Sequence, residues 1–323
     1  MDETKVKDAF ENKAVKQTMI GGQAVMEGVM MRGRRMYAMA VRKPDQTIEI
    51  IKKDLIPPSD KLPFLKLPIL RGITSFVDSM VTGMRIITQS AEMAGMDFEE
   101  EGEPSKFEKL LEKIFKGKLN DAIIYFSVGL AIVLAVVLFM LLPIGIGHLA
   151  SPLLGENTWA LGIIEGLIRI VIFLAYIYLI SLSKDIKRVF QYHGAEHKTI
   201  NCFEHEEELK VENVRKYTRL HKRCGTSFLL IVMVIAMIVF LFVRTETVWI
   251  RLLSRVILIP IIAGLSYEVI KWAGRNDNAL VNAISYPGLC LQKLTTAEPD
   301  DSMIETAIAA MKGVLESEPE EGA

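Results

Sequence analysis

Four long apolar segments constrain this chain more than any other feature. About 20 apolar residues are needed to cross the hydrocarbon core of a bilayer. Backbone groups inside it must be paired within the segment, so a crossing segment is helical. Ala122–Leu142 and Thr226–Val243 qualify without a charge. Trp159–Leu182 carries only Glu165 and Arg169, and Leu252–Trp272 carries Arg255 and Glu268 near its ends and Pro260 in its middle. The connections Pro143–Thr158 and Arg244–Arg251 are short, so neighbouring helices should run antiparallel. Hydrophobic residues make up 50% of the chain and mean hydropathy is +0.29, above an ordinary soluble protein.

Charge sets the expected orientation. Lys184–Cys224 holds ten lysines and arginines, and Pro143–Thr158 holds none. Positive loops stay inside, so both termini and the loop 184–224 are expected in the cytosol. Met1–Gln17 is charged and lacks the apolar core of a signal peptide. A net charge of -1 gives no bulk field for nucleic acid. Three cysteines are too few for a disulfide framework and fit a reducing compartment or metal ligation.

The flanking regions read as smaller modules. In residues 1–68, Gly21-Gly22 precedes an apolar run Gln23–Met31, Gly33 breaks it, and Met36–Arg42 resumes. Lys43-Pro44-Asp45-Gln46 is a turn with Pro at its second position, and Ile48–Ile51 is the returning arm. This predicts three short strands with a β-hairpin. Met26, Met30, Met31, Met36 and Met39 crowd this module; flexible core filling explains them better than copper(I) ligation. Residues 69–120 hold an amphipathic helix, Ile69–Ala94, and an acidic linker. Arg71, Asp78, Arg85 and Glu92, spaced seven apart, form one polar stripe. The helix should lie on the cytosolic membrane surface or pack on the membrane core. Residues 121–272 form the four-helix membrane domain. In 273–323, Tyr286-Pro287-Gly288 reads as a turn. A last cytosolic helix opens at Glu298-Pro299-Asp300-Asp301, with Met303, Ala307, Met311 and Leu315 on one face.

The chemistry concentrates in Tyr192–Ser227, which holds four of the five histidines and two of the three cysteines. If the second crossing continues as helix, His193, Glu196 and His197 sit at i, i+3 and i+4 on one face. Two imidazoles at that spacing grip a metal, and the carboxylate between them is a ligand or a base. The order differs from His-Glu-x-x-His, so this is not a zincin motif. His221 and Cys224 repeat an i, i+3 pair just before the third crossing. Exit and re-entry on one side let the pairs converge as a four-donor set of His193, His197, His221 and Cys224. Zinc suits it best, without excluding iron or nickel. Cys202, Glu204 and His205 are alternatives. Chance spacing or a metal-free interfacial polar network is the bland account of the same residues.

Within the membrane, Glu165 and Arg169 at i, i+4 read as a helix-locking pair that Arg255 could share. A transport or proton path is the competing reading. Glu268, beside Lys271, is a candidate partner behind the His cluster.

Gly21–Gly33, Tyr192–Lys198, His221–Phe228 and Gly274–Asn278 together resemble a bacterial membrane-protein family of unknown function, also described as a predicted metal-dependent enzyme. The resemblance covers nearly the whole chain. It implies a metal-dependent activity and a place in the bacterial cytoplasmic membrane. The first functional reading is a membrane-embedded, hydrolase-like metalloenzyme at the cytosolic interface, with Glu196 as base toward metal-activated water. The second is a non-enzymatic scaffold, partner-binding subunit or small-solute channel with a structural or regulatory His/Cys site. Membrane lipids are the expected partners, together with an unidentified protein or small molecule. Nucleic acid is not expected, and a homo-oligomer stays open.

Overall fold

The structure is a computed structural model that describes residues 18–56, 62–96, 119–154, 158–243, 247–273, 276 and 278–317. The charged start 1–17, Pro57-Pro58, the acidic run Asp97–Glu103 and the end of the acidic tail lie outside the described residues. The chain divides into two units, one made of residues 1–96, 174–236 and 255–323, the other of 97–173 and 237–254.

In the first unit, strands β1 (Gly21–Val25), β2 (Gly28–Arg32), β3 (Met36–Arg42) and β4 (Ile48–Asp54) form an antiparallel sheet in sequence order. The turn at Lys43–Gln46 forms as expected, with the Gln46 amide donating to the Lys43 carbonyl at 2.9 Å. The run Gln23–Met31, however, is two strands rather than one. It folds back at Met26-Glu27, so that Val25 pairs with Gly28. No Asn-Gly pair announces this hairpin. Glu27 adopts a left-handed φ of 51° while its carboxylate is held by the Arg188 guanidinium and faces the Tyr192 hydroxyl at 3.4 Å. Tertiary partners therefore set the turn that local sequence leaves unmarked.

The sheet is covered on both faces, which explains why β2 and β3 are apolar without interruption. Side chains alternate across a strand. Val29, Met31, Ala38 and Ala40 point to a core with helices α5 (Lys184–Glu204) and α10 (Asp301–Leu315). Met30, Tyr37, Met39 and Val41 point the other way, against Ile86 of helix α1 (Leu70–Met93). The methionines of β2 and β3 are thus core residues, Met31 and Met39 fully buried. β4 is one edge, and its Lys52 and Lys53 bond Glu316 at 2.8 Å and Gln89 at 3.1 Å, a charged edge that discourages strand addition. α10 starts as the acidic stretch predicts, with the Asp300 side chain accepting from the Met303 amide at 3.0 Å.

Residues read as a turn at Tyr286-Pro287-Gly288 lie inside a helix, α9 (Ala279–Thr295). A proline inside a helix loses one hydrogen bond and crowds the preceding turn, at a cost of about 3 kcal/mol. The Asn278 cap, whose side chain accepts from the Val281 amide at 3.0 Å, and the buried face Val281, Leu289, Gln292 and Thr295 outweigh that loss. Of the motif Gly274–Asn278, the described part is this cap and Asn276; Gly274, Arg275 and Asp277 lie outside the described residues.

Among the described residues, four helices are long and apolar enough to cross a membrane: Gly129–Ala150, Trp159–Ser181, Gly225–Phe242 and Trp249–Ala273. They lie in α2 (Leu119–Val136) with its continuation, α4 (Thr158–Ser181), α7 (Gly225–Phe242) and α8 (Val248–Ala273); the short α6 (Val211–Val214) lies in the loop. The stretch from Pro143, read as a connection, is helical as α3 (Leu142–Leu154), joined to α2 by a π turn at Val137–Leu141. Pro143 has no amide to offer the carbonyl four residues earlier, that of Phe139. In the second unit that carbonyl accepts from Arg169 Nε at 2.9 Å, so the helix passes through the proline with its freed acceptor satisfied. The guanidinium of Arg169 also lies 5.3 Å from the Phe240 ring centre. Glu165 has an ion pair with Arg251 at 3.1 Å. Arg251, expected in a connection, belongs to α8.

Candidate metal centre

The site is built on α5, a helix separated from α4 by a break at Leu182-Ser183. Because α5 is continuous through 193–197, the expected i, i+3, i+4 face forms. His193, Glu196 and His197 are all buried, at 9%, 4% and 1% exposure. The chain then returns along the same helix. Lys198 Nζ donates to the Arg215 carbonyl at 3.0 Å, and Asn201 Nδ2 donates to the Thr218 and Leu220 carbonyls at 2.8 and 3.2 Å. These contacts clasp the loop to α5 and deliver Cys224 to the histidines.

Donor atoms of His193, His197 and Cys224 lie within 4.8 Å of one another. His193 Nε2 is 3.3 Å from Cys224 Sγ. Each ring is oriented from behind by a backbone carbonyl. His193 Nδ1 donates to Thr295 at 2.8 Å and His197 Nδ1 donates to Arg219 at 2.6 Å. A carbonyl can only accept, so Nδ1 of each ring carries a proton and Nε2 is the nitrogen turned to the cluster, which ligates once it is unprotonated. His197 Nε2 is buried and has no hydrogen-bond partner among the described residues. A buried imidazole nitrogen beside a thiol calls for a partner, which a metal ion or an ordered water supplies, and two imidazoles with a thiolate suit zinc. These residues fit the ion.

His221 stands differently. Its ring centre is 5.8 Å from that of His197, but its Nε2 faces Glu204 Oε2 at 3.3 Å. Glu204 is itself held by the Arg223 guanidinium and by the Thr18 amide at 3.0 Å. His221 is thus beside the cluster, engaged with a carboxylate. Of the alternatives, Cys202 sits in the sheet-side core and His205 packs on Tyr217 with ring centres 4.9 Å apart. Glu268 pairs with Arg71 at 2.6 Å.

Electrostatics follow from burial and proximity. Burial pushes the His193 imidazolium down, but the hydrogen bond and charge of Cys224, with Glu196 beyond, win and raise it to about 9. Burial likewise works against the Cys224 thiolate, yet the charge of His197 and the His193 hydrogen bond bring the thiol well below its usual value. Glu196, its Oε2 3.9 Å from His193 Nε2, is raised by desolvation despite the nearby histidines. Burial lowers His221.

Several contributors carry no local signal. Gln292, fully buried, accepts from the His221 amide and donates to the His221 carbonyl, both at 2.8 Å, and donates to Ser227 Oγ at 2.7 Å. A polar residue on the buried face of α9 would have flagged it, had the proline not hidden the helix. Gly22 meets the site from the sheet: a Cβ there would lie 2.6 Å from Glu196 Cγ. The first glycine motif therefore lets β1 close over the carboxylate.

The chain is similar in sequence to known proteins. The uncharacterized protein YqhQ of Bacillus subtilis (strain 168) is 38% identical over 307 residues, 92% of each chain. No solved structure matches. The profile of a family described as "Protein of unknown function (DUF1385)" matches residues 67–317, which bears out the resemblance to a family of unknown function. The chain belongs to that family, DUF1385.

Proposed function

We propose that the chain is a membrane-embedded, metal-dependent enzyme of hydrolase type in the bacterial cytoplasmic membrane, with its site on the cytosolic side. The supporting observation is the convergence of His193, His197 and Cys224 donor atoms within 4.8 Å beside a buried carboxylate. Three protein donors are the number catalytic zinc sites use, leaving a position for substrate or water. A divalent metal there supplies Lewis acidity toward a carbonyl or phosphoryl oxygen and toward water. Thr295 and Arg219 hold the two imidazoles in the ligating tautomer. Glu196, whose proton affinity burial raises, is suited to take a proton from an attacking water at neutral pH. His221 is the proposed neighbour, with Glu204 fixing its ring.

The test is a panel of chromogenic ester, phosphodiester and peptide substrates with zinc-loaded protein in detergent. The expected result is a zinc-dependent hydrolysis that Glu196→Gln abolishes while keeping the metal. Equal hydrolysis by the variant contradicts the assignment of Glu196.

The near-complete burial of His197 and Glu196 favours a second reading, a closed structural site in a non-enzymatic scaffold or channel. Cobalt-substituted protein separates them. A visible spectrum that shifts on adding a small anion shows an open position, and an unresponsive spectrum shows a closed one.

A further inference from the structure

We propose that α1 is an interfacial helix whose outer face is buried in the bilayer, so that it carries the sheet of the metal centre on the membrane surface. The inference rests on the reading of α8 as a membrane-crossing helix.

α1 turns its buried face and half of its polar stripe, Arg71 and Asp78, toward the protein. Gly83 lies against the Gln23 side chain, Ile86 enters the sheet core, and Ser90 Oγ accepts from the Met26 amide at 3.1 Å. Along one flank, Asp78 pairs with Arg32 at 3.0 Å and Arg71 with Glu268. The side facing away from the sheet carries an apolar stripe, bordered by exposed Arg85, Thr88 and Glu92. Val77, Met80 and Val81 are each 52% exposed and Met84 63%, and the i, i+3, i+4, i+7 spacing makes them one stripe. Contiguous exposed apolar surface of this kind marks an interaction site.

The attachment of α1 says what covers that stripe. Its first turn is docked on α8, where a Cβ on Gly72 would be 2.8 Å from Gly264 Cα. This is the backbone approach that small residues allow between helices in membranes. Ile69, at a left-handed φ of 67°, faces Glu268 through its amide at 3.4 Å. Glu268 precedes the end of α8 at Ala273 by five residues, about 7.5 Å of helix rise. Interfacial helices bury their apolar faces about 5–10 Å deep. Val256, Ile257 and Ile259 of α8 and Phe64 and Leu67 before α1 are exposed apolar residues as well.

The experiment uses the full chain in phosphatidylcholine–phosphatidylglycerol vesicles containing a phospholipid with a diazirine in its acyl chain. Photolysis and mass spectrometry map the adducts, and a water-soluble oxidant is applied to a parallel sample. Adducts are expected on the peptides holding Val77–Met84 and Ile257–Ile259. Met80 and Met84 should stay thioethers while Met19, 64% exposed, is oxidised. Adducts on α8 alone, with Met80 and Met84 oxidised like Met19, overturn the interfacial helix and leave the crossing intact. Adducts on α8 alone, with both methionines protected, show protein such as a second copy on the stripe and also overturn it. No adducts on α8 overturn the membrane-crossing reading beneath it.

Discussion

His193 and Cys224, from opposite ends of the 192–227 stretch, meet with Nε2 and Sγ 3.3 Å apart. Without a cation the contact favours thiolate over thiol, and thiolate is the nucleophile and the ligand. Chelator-treated protein should therefore be alkylated by iodoacetamide at Cys224 well before Cys290, although both are partly exposed. Added zinc should protect Cys224. Equal rates at the two cysteines, or no protection, contradict the arrangement.

The half of this site that lies on one helix was legible in the sequence. His193, Glu196 and His197 need only helical periodicity, which α5 supplies. The approach of Cys224 follows from two apolar segments that must leave and re-enter on one side. What was not legible depends on partners distant in sequence. The Glu27 turn is held by Arg188, His221 is drawn to Glu204, and the carbonyls of Arg219 and Thr295 carry no side-chain signature. Pro143 and Pro287 misled because proline penalises a helix only by one hydrogen bond and local sterics. Arg169 supplies the donor that Pro143 lacks, to the carbonyl of Phe139 thirty residues away.

Gly22→Ala tests the closure of the sheet over the site. The added methyl would meet Glu196 Cγ at 2.6 Å. Overpacking of this kind costs about 1–3 kcal/mol. A lowered thermal midpoint with weakened zinc binding is expected. Wild-type stability with wild-type affinity would show that β1 does not press on the carboxylate.

Glu196→Gln should stabilise the metal-free protein at neutral pH. Burial raises the folded carboxyl above the ordinary glutamate value of 4.5. The folded state then binds more protons than the unfolded one, and stability falls as pH rises from about 4.5 through the folded value. Glutamine removes that loss, so the gain in thermal midpoint should be present at pH 7.5 and shrink toward pH 4.5. A gain independent of pH would contradict the origin in desolvation.

Glu165→Gln should destabilise the protein more than the double change with Arg251→Met. Breaking a fully buried pair costs about 3–5 kcal/mol because one charge is left behind. The Arg251 side chain is 30% exposed, which places the single-variant cost lower, at about 2 kcal/mol. Additive losses in a double-mutant cycle of thermal unfolding would show that the two groups do not interact.

The metal itself is the most direct test. Protein purified without chelator should contain one zinc per chain, and X-ray absorption should show one sulfur at about 2.3 Å with nitrogen or oxygen at about 2.0–2.1 Å. His197→Ala should lose the ion, Cys224→Ala the sulfur shell, and His221→Ala neither. Substoichiometric metal in the wild-type chain, or a bound zinc without a sulfur neighbour, would contradict the account.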